Sequence, residues 1–148
     1  MKPPADRRLV FLLNVGQRRL NRWIESRLGA EGGASTAQAG ALFYLAKHDG
    51  ALIGEIAEAL DLAPSAMTGL ADRLSKAGLA ERRRDAADGR AMRLYLTPAG
   101  HSALQTAARG LASVNAKIME GFSDAELDVV ARWLLSLQSK FGNDAPQA

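Results

Sequence analysis

The side chains whose types and spacing could do chemistry lie between Pro64 and Thr97, and the chemistry they favour is nucleic-acid binding. Ser65 and Thr68 stand three residues apart in a predicted helix, which places both hydroxyl groups on one face. Such groups can hydrogen-bond to base edges and to phosphates. Residues 64–97 contain seven Lys or Arg and four Asp or Glu, whereas the rest of the chain contains twelve of each. The excess of positive charge therefore lies entirely in this segment, as a nucleic-acid footprint requires.

Residues suited to catalysis or metal binding are scarce. The chain contains no cysteine and two histidines, which excludes disulfides and thiolate metal sites and leaves little material for a zinc site. The sequence contains no nucleophile-elbow motif, phosphate-binding loop or compact carboxylate pair, and neither histidine has a nucleophile beside it. We therefore expect no enzyme activity, no cofactor and no metal.

Two short helices separated by residues 61–63 position the hydroxyl face. Their apolar residues recur at helical spacing and are Ile53, Ile56, Ala57 and Leu60 in the first helix and Met67, Leu70, Ala71 and Leu74 in the second. Pro64 suits the first position of the second helix, and Gly78 suits its end. Two helices joined by such a tight turn predict a helix-turn-helix, whose second helix can enter a DNA major groove.

A predicted β-hairpin follows, with strands at residues 81–84 and 92–96. Apolar and polar residues alternate in the second strand, which is typical of a half-buried strand. Asp88-Gly89 supplies turn residues between the strands, so the hairpin presents a basic tip. The brief segment Ala51-Leu52 is a candidate third strand that pairs with it. A helix-turn-helix followed by such a hairpin is a winged helix.

This region resembles the MarR family of bacterial transcription regulators. Asp88-Gly89-Arg90 followed by Leu96-Thr97 matches the D-x-R…L-T signature of that family's wing. Ala77-Gly78-Leu79 and the second helix, at residues 64–70, also fit, and the resemblance extends over about residues 8–141. Many relatives have an arginine directly after the threonine that corresponds to Thr68. This chain has Gly69 at that position.

The predicted DNA contacts lie on the second helix and on the wing. Ser65, Thr68 and Gly69 are expected to face the major groove, and Arg90 is expected to reach a minor groove. The complete predicted set is Pro64, Ser65, Ala66, Thr68, Gly69, Arg73, Lys76, Arg84 and Arg90, with Arg73 and Lys76 near phosphates. Asp88 and Gly89 are assigned to the shape of the wing.

The predicted fold is mainly α with a small β-wing (α+β), in a single subunit of residues 1–148. The winged helix-turn-helix lobe occupies residues 35–97, and dimerisation helices flank it at residues 5–28 and 98–141. Capping boxes at Ser35–Gln38 and at Ser123–Glu126, together with Pro98 after Thr97, mark helix starts. Residues 29–34 are expected to form a flexible loop, and residues from 142 onward a frayed tail.

The terminal helices are expected to form a homodimer. Phe11, Leu12, Val15 and Trp23 give the first helix more apolar surface than one small domain can cover. Helix-turn-helix proteins commonly bind DNA as dimers. The resemblance implies a dimer built from the first helix and the last two, and hence an inverted-repeat operator in double-stranded DNA.

The resemblance also implies a response to small anionic aromatic ligands or oxidants. Arg19, Arg22 and Trp23 on the first helix, with Phe43 or Tyr44 on the second, form a candidate ligand-binding set. In the alternative interpretation, Trp23 and Phe43 are packing residues while Arg19 and Arg22 are solvated.

We therefore expect a sequence-specific DNA-binding transcription regulator, in the form of a homodimeric repressor that a small-molecule ligand releases. The alternative is a winged-helix interaction module, or an architectural DNA-binding module, without a ligand response. The sequence shows no targeting segment, and the apolar run at residues 9–13 is far shorter than the roughly 18 residues of a membrane span. A cytoplasmic protein without membrane contact is the prediction.

Overall fold

The computed structural model describes residues 6–30 and 34–142, with the side chains of residues 28–30 left aside. Within these residues there are six helices and three strands. They are α1 Leu9–Ala30, α2 Thr36–Lys47, β1 Ala51–Leu52, α3 Ile53–Ala59, α4 Pro64–Lys76, β2 Ala80–Arg84, β3 Met92–Leu96, α5 Pro98–Met119 and α6 Asp124–Lys140. This mainly helical fold with a small sheet confirms the predicted fold class.

Three of the six helices, α2, α5 and α6, begin where a local side chain accepts a free N–H group of the first turn. The Ser35 hydroxyl accepts the Gln38 N–H at 3.2 Å, and the Gln38 side chain accepts the Ser35 N–H at 2.9 Å. Ser123 and Glu126 make the same reciprocal pair at the start of α6. Both predicted capping boxes are therefore present.

The first helix departs from its predicted limits. It begins at Leu9 and continues to Ala30, so it includes two residues of the predicted loop. Just before it, the Asp6 carboxylate accepts hydrogen bonds from the Arg8 backbone and guanidinium. The predicted start at Ala5, the loop residues 31–33 and the tail residues 143–148 lie outside the described residues.

The core of the winged lobe lies between α2, α3, α4 and β3. Its fully buried large side chains are Leu42, Leu45, Ile56, Met67, Leu70, Leu74 and Leu94. Burying each such side chain stabilises the fold by about 1.5–3 kcal/mol. All four apolar residues predicted for α4 are buried, so its opposite face must point to solvent. The helical spacing of Leu42, Leu45 and Ala46 predicts that all three lie in the core. Leu42 and Leu45 are buried, whereas Ala46 is exposed near the end of α2.

The three strands form an antiparallel sheet in the order β1-β3-β2. Ala51 pairs with Leu94, which confirms the predicted third strand. Arg82 lies opposite Leu94, and Arg83 lies opposite Arg93. Side chains on directly opposed residues share a face, so neighbouring arginines of β2 point to opposite sides of the sheet.

The chain divides into two compact units, Met1–Gly110 and Leu111–Ala148, and the boundary falls within α5. The first turns of α5 belong to the winged lobe because the Thr97 hydroxyl donates to the Gly78 carbonyl at 2.5 Å. Ala103 and Leu104 also pack against the lobe core.

Helix α6 contains no buried residue, although the helical spacing of its apolar residues, Val130, Leu134 and Phe141 among them, predicts burial. These three side chains are exposed, and so is Leu135. None of the helices in the described parts of the chain is long and apolar enough to cross a membrane.

Candidate nucleic-acid interface

The outward face of α4 is formed by small and cationic side chains. Pro64, Ser65, Ala66 and Thr68 are exposed in its first turns, and Gly69 is half-buried. Arg73 and Lys76 are exposed in its later turns. Small side chains let the helix backbone approach a groove closely, while the cations can meet phosphates. The burial of Met67 and Leu70 on the opposite side fixes this orientation.

The start of α4 has free hydrogen-bond donors. Its N-cap residue, Ala63, provides no side-chain cap, and Pro64 occupies the first helical position. Among the residues that the structure describes, none accepts a hydrogen bond from the Ser65 or Ala66 backbone N–H. Free N–H groups and the helix dipole favour an anion such as a phosphate at this end.

Thr68 has one hydrogen-bonding role already assigned within the helix. Its hydroxyl donates to the Pro64 carbonyl oxygen at 3.0 Å. The oxygen can still accept a hydrogen bond, and the methyl group can contact an apolar surface. A base that offers an amino group or a methyl group at its major-groove edge therefore suits Thr68.

A network around Asp85 holds the base of the wing loop. The Arg93 guanidinium donates to Asp85 Oδ1 at 2.7 Å and to the Gly50 carbonyl at 2.7 Å. Asp85 Oδ2 also accepts the Asp88 N–H at 3.2 Å. The hydrogen bond from Arg93 lowers the pKa of Asp85 below its ordinary value of 3.8. This network ties the wing loop to the first strand of the sheet.

Asp88 and Gly89 differ in what they contribute to the tip. Asp88 Oδ1 accepts the Arg90 N–H at 3.0 Å, and the Asp88 carbonyl accepts the Ala91 N–H at 3.0 Å. Gly89 is not among the residues with positive φ, and an added Cβ there would meet nothing within 4 Å. The structure therefore identifies no requirement for glycine at this position.

The three successive arginines of β2 have three different surroundings. Arg82 reaches α4, where Nη2 lies 2.6 Å from Asp72 Oδ1 and 3.4 Å from the Thr68 carbonyl oxygen. Arg83 pairs with Glu81 at 3.2 Å, and its guanidinium lies 4.4 Å from the Tyr95 ring centre. Arg84 makes no ion pair with any described residue.

Four cations of α4 and the hairpin are thus available for an external anion. Arg73, Lys76, Arg84 and Arg90 have no side-chain ion pair within the described residues, whereas Arg82, Arg83 and Arg93 each have one. All four belong to the predicted DNA-contacting set. Asp85 and Arg93 were not among the predicted contacts or wing residues, because their pairing with each other depends on how the wing loop folds back.

The candidate ligand-binding residues have other neighbours in the structure. The Arg27 guanidinium lies 4.9 Å from the Trp23 ring centre. The Tyr44 ring stacks on His48 with 4.4 Å between ring centres. Phe43 is half-buried, while Arg19 and Arg22 are exposed. Arg27 and His48, which contact the rings of Trp23 and Tyr44, are not members of the predicted ligand-binding set.

The winged lobe is similar to known regulators. Residues 33–91 match the model of the MarR family. The chain is 35% identical over 86 residues to YsmB, an uncharacterized HTH-type transcriptional regulator of Bacillus subtilis, with 58% of this chain and 59% of that protein covered. It is 32% identical over 95 residues to the HTH-type transcriptional repressor MdtR of Bacillus subtilis, with 64% and 61% covered. The matched part thus spans less than two thirds of either curated relative.

Solved structures share the fold at low sequence identity. A mutant MarR from E. coli, complexed with operator DNA, has a TM-score of 0.80 and 18% identity, covering 87% of this chain and 92% of that chain. The PcaV transcriptional regulator from Streptomyces coelicolor, in complex with its natural ligand, has a TM-score of 0.82 and 20% identity, covering 91% and 96%.

Proposed function

We propose that this chain is a transcription regulator of the MarR family of winged helix-turn-helix proteins and that it binds double-stranded DNA. Helix α4 enters the major groove, and the wing tip reaches the adjacent minor groove. The cytoplasm is the compartment in which it acts.

One observation supports this proposal more strongly than any other observation. The paired arginines of the lobe hold its own structure together, while Arg73, Lys76, Arg84 and Arg90 have no side-chain ion pair within the described residues. They lie on the helix and hairpin that a winged helix presents to DNA. Unpaired cations on these elements are suited to displacing counterions from phosphates.

The finer proposal is a homodimeric repressor that recognises an inverted repeat. The name of MdtR as a repressor and the operator complex of E. coli MarR support it. A two-fold symmetric dimer places its two reading helices on successive turns of the groove, so its operator is a palindrome.

Release by a small molecule belongs to the same proposal. PcaV binds a natural ligand, and the BpsR regulator of Bordetella bronchiseptica has its DNA binding regulated by 6-hydroxynicotinic acid. For this chain, we place a small anionic aromatic ligand beside Arg19, Arg22 and Trp23. Such a ligand can release DNA only if it binds the DNA-free conformation more tightly.

Fluorescence anisotropy tests the proposed function. Labelled duplexes covering the DNA upstream of the protein's own gene are titrated with the full chain at several salt concentrations. We expect one fragment to bind far more tightly than the others, with affinity falling steeply as salt rises. Weak and equal binding to every fragment would favour the interaction or architectural module instead.

A further inference from the structure

Gly69 is an unexpected residue for the middle of the reading helix. Glycine in a helix interior costs about 1 kcal/mol relative to alanine. Gly69 does not have a positive φ, so the backbone conformation gives no reason for it. It stands in α4 directly after Thr68, on the border between the exposed and the buried face.

The guanidinium of Arg73 lies beside the glycine. A Cβ added at Gly69 would lie 3.4 Å from Arg73 Nη1. Arg73 is four residues further along, and long side chains on a helix point back toward its N-terminus. The Arg73 side chain therefore extends over Gly69, one helical turn nearer the start of α4 than its own Cα. A longer side chain at position 69 would occupy this space.

The charge of Arg73 is not committed elsewhere. The neighbouring carboxylate of Asp72 pairs with Arg82 at 2.6 Å. Across residues 6–30 and 34–142, no ion pair or side-chain hydrogen bond involves Arg73, and the residue is exposed. The wing thus engages the one acidic residue of α4, and the Arg73 donors stay available.

Thr68 and Arg73, both exposed on α4, differ in the hydrogen bonds that they can still make. Thr68 already donates its hydroxyl hydrogen to Pro64, which leaves it an acceptor and a methyl group. Arg73 offers donors only. Guanine presents two acceptors, O6 and N7, at its major-groove edge, and arginine binds both at once.

We propose that Arg73 reads a guanine in the major groove through the space that Gly69 leaves open. This inference rests on the proposed DNA-binding function. It replaces the phosphate contact that the charge of Arg73 alone suggested. An alanine at this position would remove all the donors that could reach guanine.

Selection from a randomised duplex library tests the inference. The full chain and its Arg73→Ala variant each select sequences, and affinities are then measured for the preferred site and for versions with each base replaced. We expect the native protein to require guanine at one position of each half-site. In Arg73→Ala, that preference should fall by roughly 5- to 150-fold, because the variant lacks the guanidinium donors.

Two further variants distinguish the recognition of guanine from the effect of losing a charge and from a change in stability. Lys76→Ala should weaken binding to all sequences evenly, with the salt slope reduced by about 1. Gly69→Leu fills the space beside Arg73 and should remove the same guanine preference, while its melting temperature rises because leucine favours the helix.

The outcomes distinguish this inference from the function on which it rests. Retention of the full guanine preference by Arg73→Ala would show that Arg73 does not read the guanine, and would overturn the inference with the DNA-binding function intact. A native protein that selects no sequence would overturn both.

Discussion

Arg90 and Arg83 carry the same charge on the same β-hairpin but have different surroundings. Arg83 pairs with Glu81 and lies over Tyr95, so its guanidinium is held on the hairpin surface. The Arg90 backbone is fixed by Asp88, while its side chain makes no ion pair with a described residue. The position of Arg90 is thus set by the loop, and its charge is left for DNA.

Arg90→Ala should weaken DNA binding and reduce its salt dependence. Losing one phosphate contact lowers the slope of log affinity against log salt by about 0.9. Arg83→Ala is the matched control, because both variants lower the net charge by one. Anisotropy titrations at several salt concentrations measure both slopes. Equal slopes for the two variants would mean that only net charge matters and that the wing tip makes no contact.

The Asp85–Arg93 pair predicts a dependence of stability on pH. The pKa of Asp85 is lowered by the hydrogen bond from Arg93, so the folded state favours the ionised carboxylate. The resulting stabilisation is present above the ordinary pKa of 3.8 and is lost as pH falls through the lower folded value. The free energy of unfolding of the native protein should therefore exceed that of Asp85→Asn by a constant amount at neutral pH.

Urea unfolding at a series of pH values measures this difference. It should begin to shrink near pH 4, where the Asp85 carboxylate of the unfolded chain takes up a proton while that of the folded protein stays ionised. A difference that stays constant down to pH 2 would show that Asp85 stabilises the wing by some means other than its charge.

At the scale of elements, the start of α5 is anchored to the lobe by a close backbone approach. A Cβ on Gly100 would lie 2.0 Å from the Leu79 carbonyl oxygen, which is too close for any real contact. The Thr97 backbone and hydroxyl also bond to the segment that precedes β2. Helix α5 can lie here only because residue 100 has no side chain.

Gly100→Ala should destabilise the protein by about 1–3 kcal/mol, since the backbone must shift to admit the methyl group. Gly54→Ala is the matched control in another helix, where a Cβ would meet nothing within 4 Å. That variant should be unchanged or stabilised by up to about 1 kcal/mol. Chemical denaturation compares the two, and equal stabilities would contradict the close packing of α5 on Leu79.

The elements that could be predicted from the sequence are those whose signals are local. Ser35 and Ser123 cap helices through residues only three positions away, and Pro64 and Gly78 limit α4 in the same local way. The reach of α1 to Ala30 was missed, because Gly29 reads as a loop residue when only its neighbours are considered.

The site was less predictable, because tertiary contacts determine which of its charged side chains form ion pairs and which do not. The hydrogen bond from Arg82 to the Thr68 carbonyl joins residues 14 positions apart, and that from Arg93 to Gly50 joins residues 43 apart. Strand alternation shows that Arg82 and Arg83 face opposite sides. It does not show that Asp72 lies on one of those sides, so the run of arginines reads from sequence as uniformly basic.

At the scale of the whole molecule, each of the two units leaves large apolar side chains exposed. In α1 these side chains are consecutive, from Leu9 to Leu13, and Phe11 is 54% exposed. In α6, Leu135 is 62% exposed and Val129 is 52% exposed. Exposed apolar side chains in such number are typical of a site of association. The proposed homodimer would cover those of both helices.

Leu135→Glu should convert the dimer to a monomer, because a carboxylate in an apolar interface is strongly disfavoured. Gln138→Glu adds the same charge at an exposed polar position of α6 and is the matched control. Sedimentation velocity over a range of concentrations gives the association state of each. A Leu135→Glu protein that remains dimeric would place the interface elsewhere.

A hydroxyl-radical footprint on the selected DNA site tests most directly the central claim that two copies of α4 and the wing bind together. The account predicts two symmetric protected patches, with their centres about 10–10.5 base pairs or a multiple of that distance apart. Arg90→Ala should lose the protection at the outer edge of each patch. A single patch, or weak protection spread evenly along the duplex, would contradict the claim.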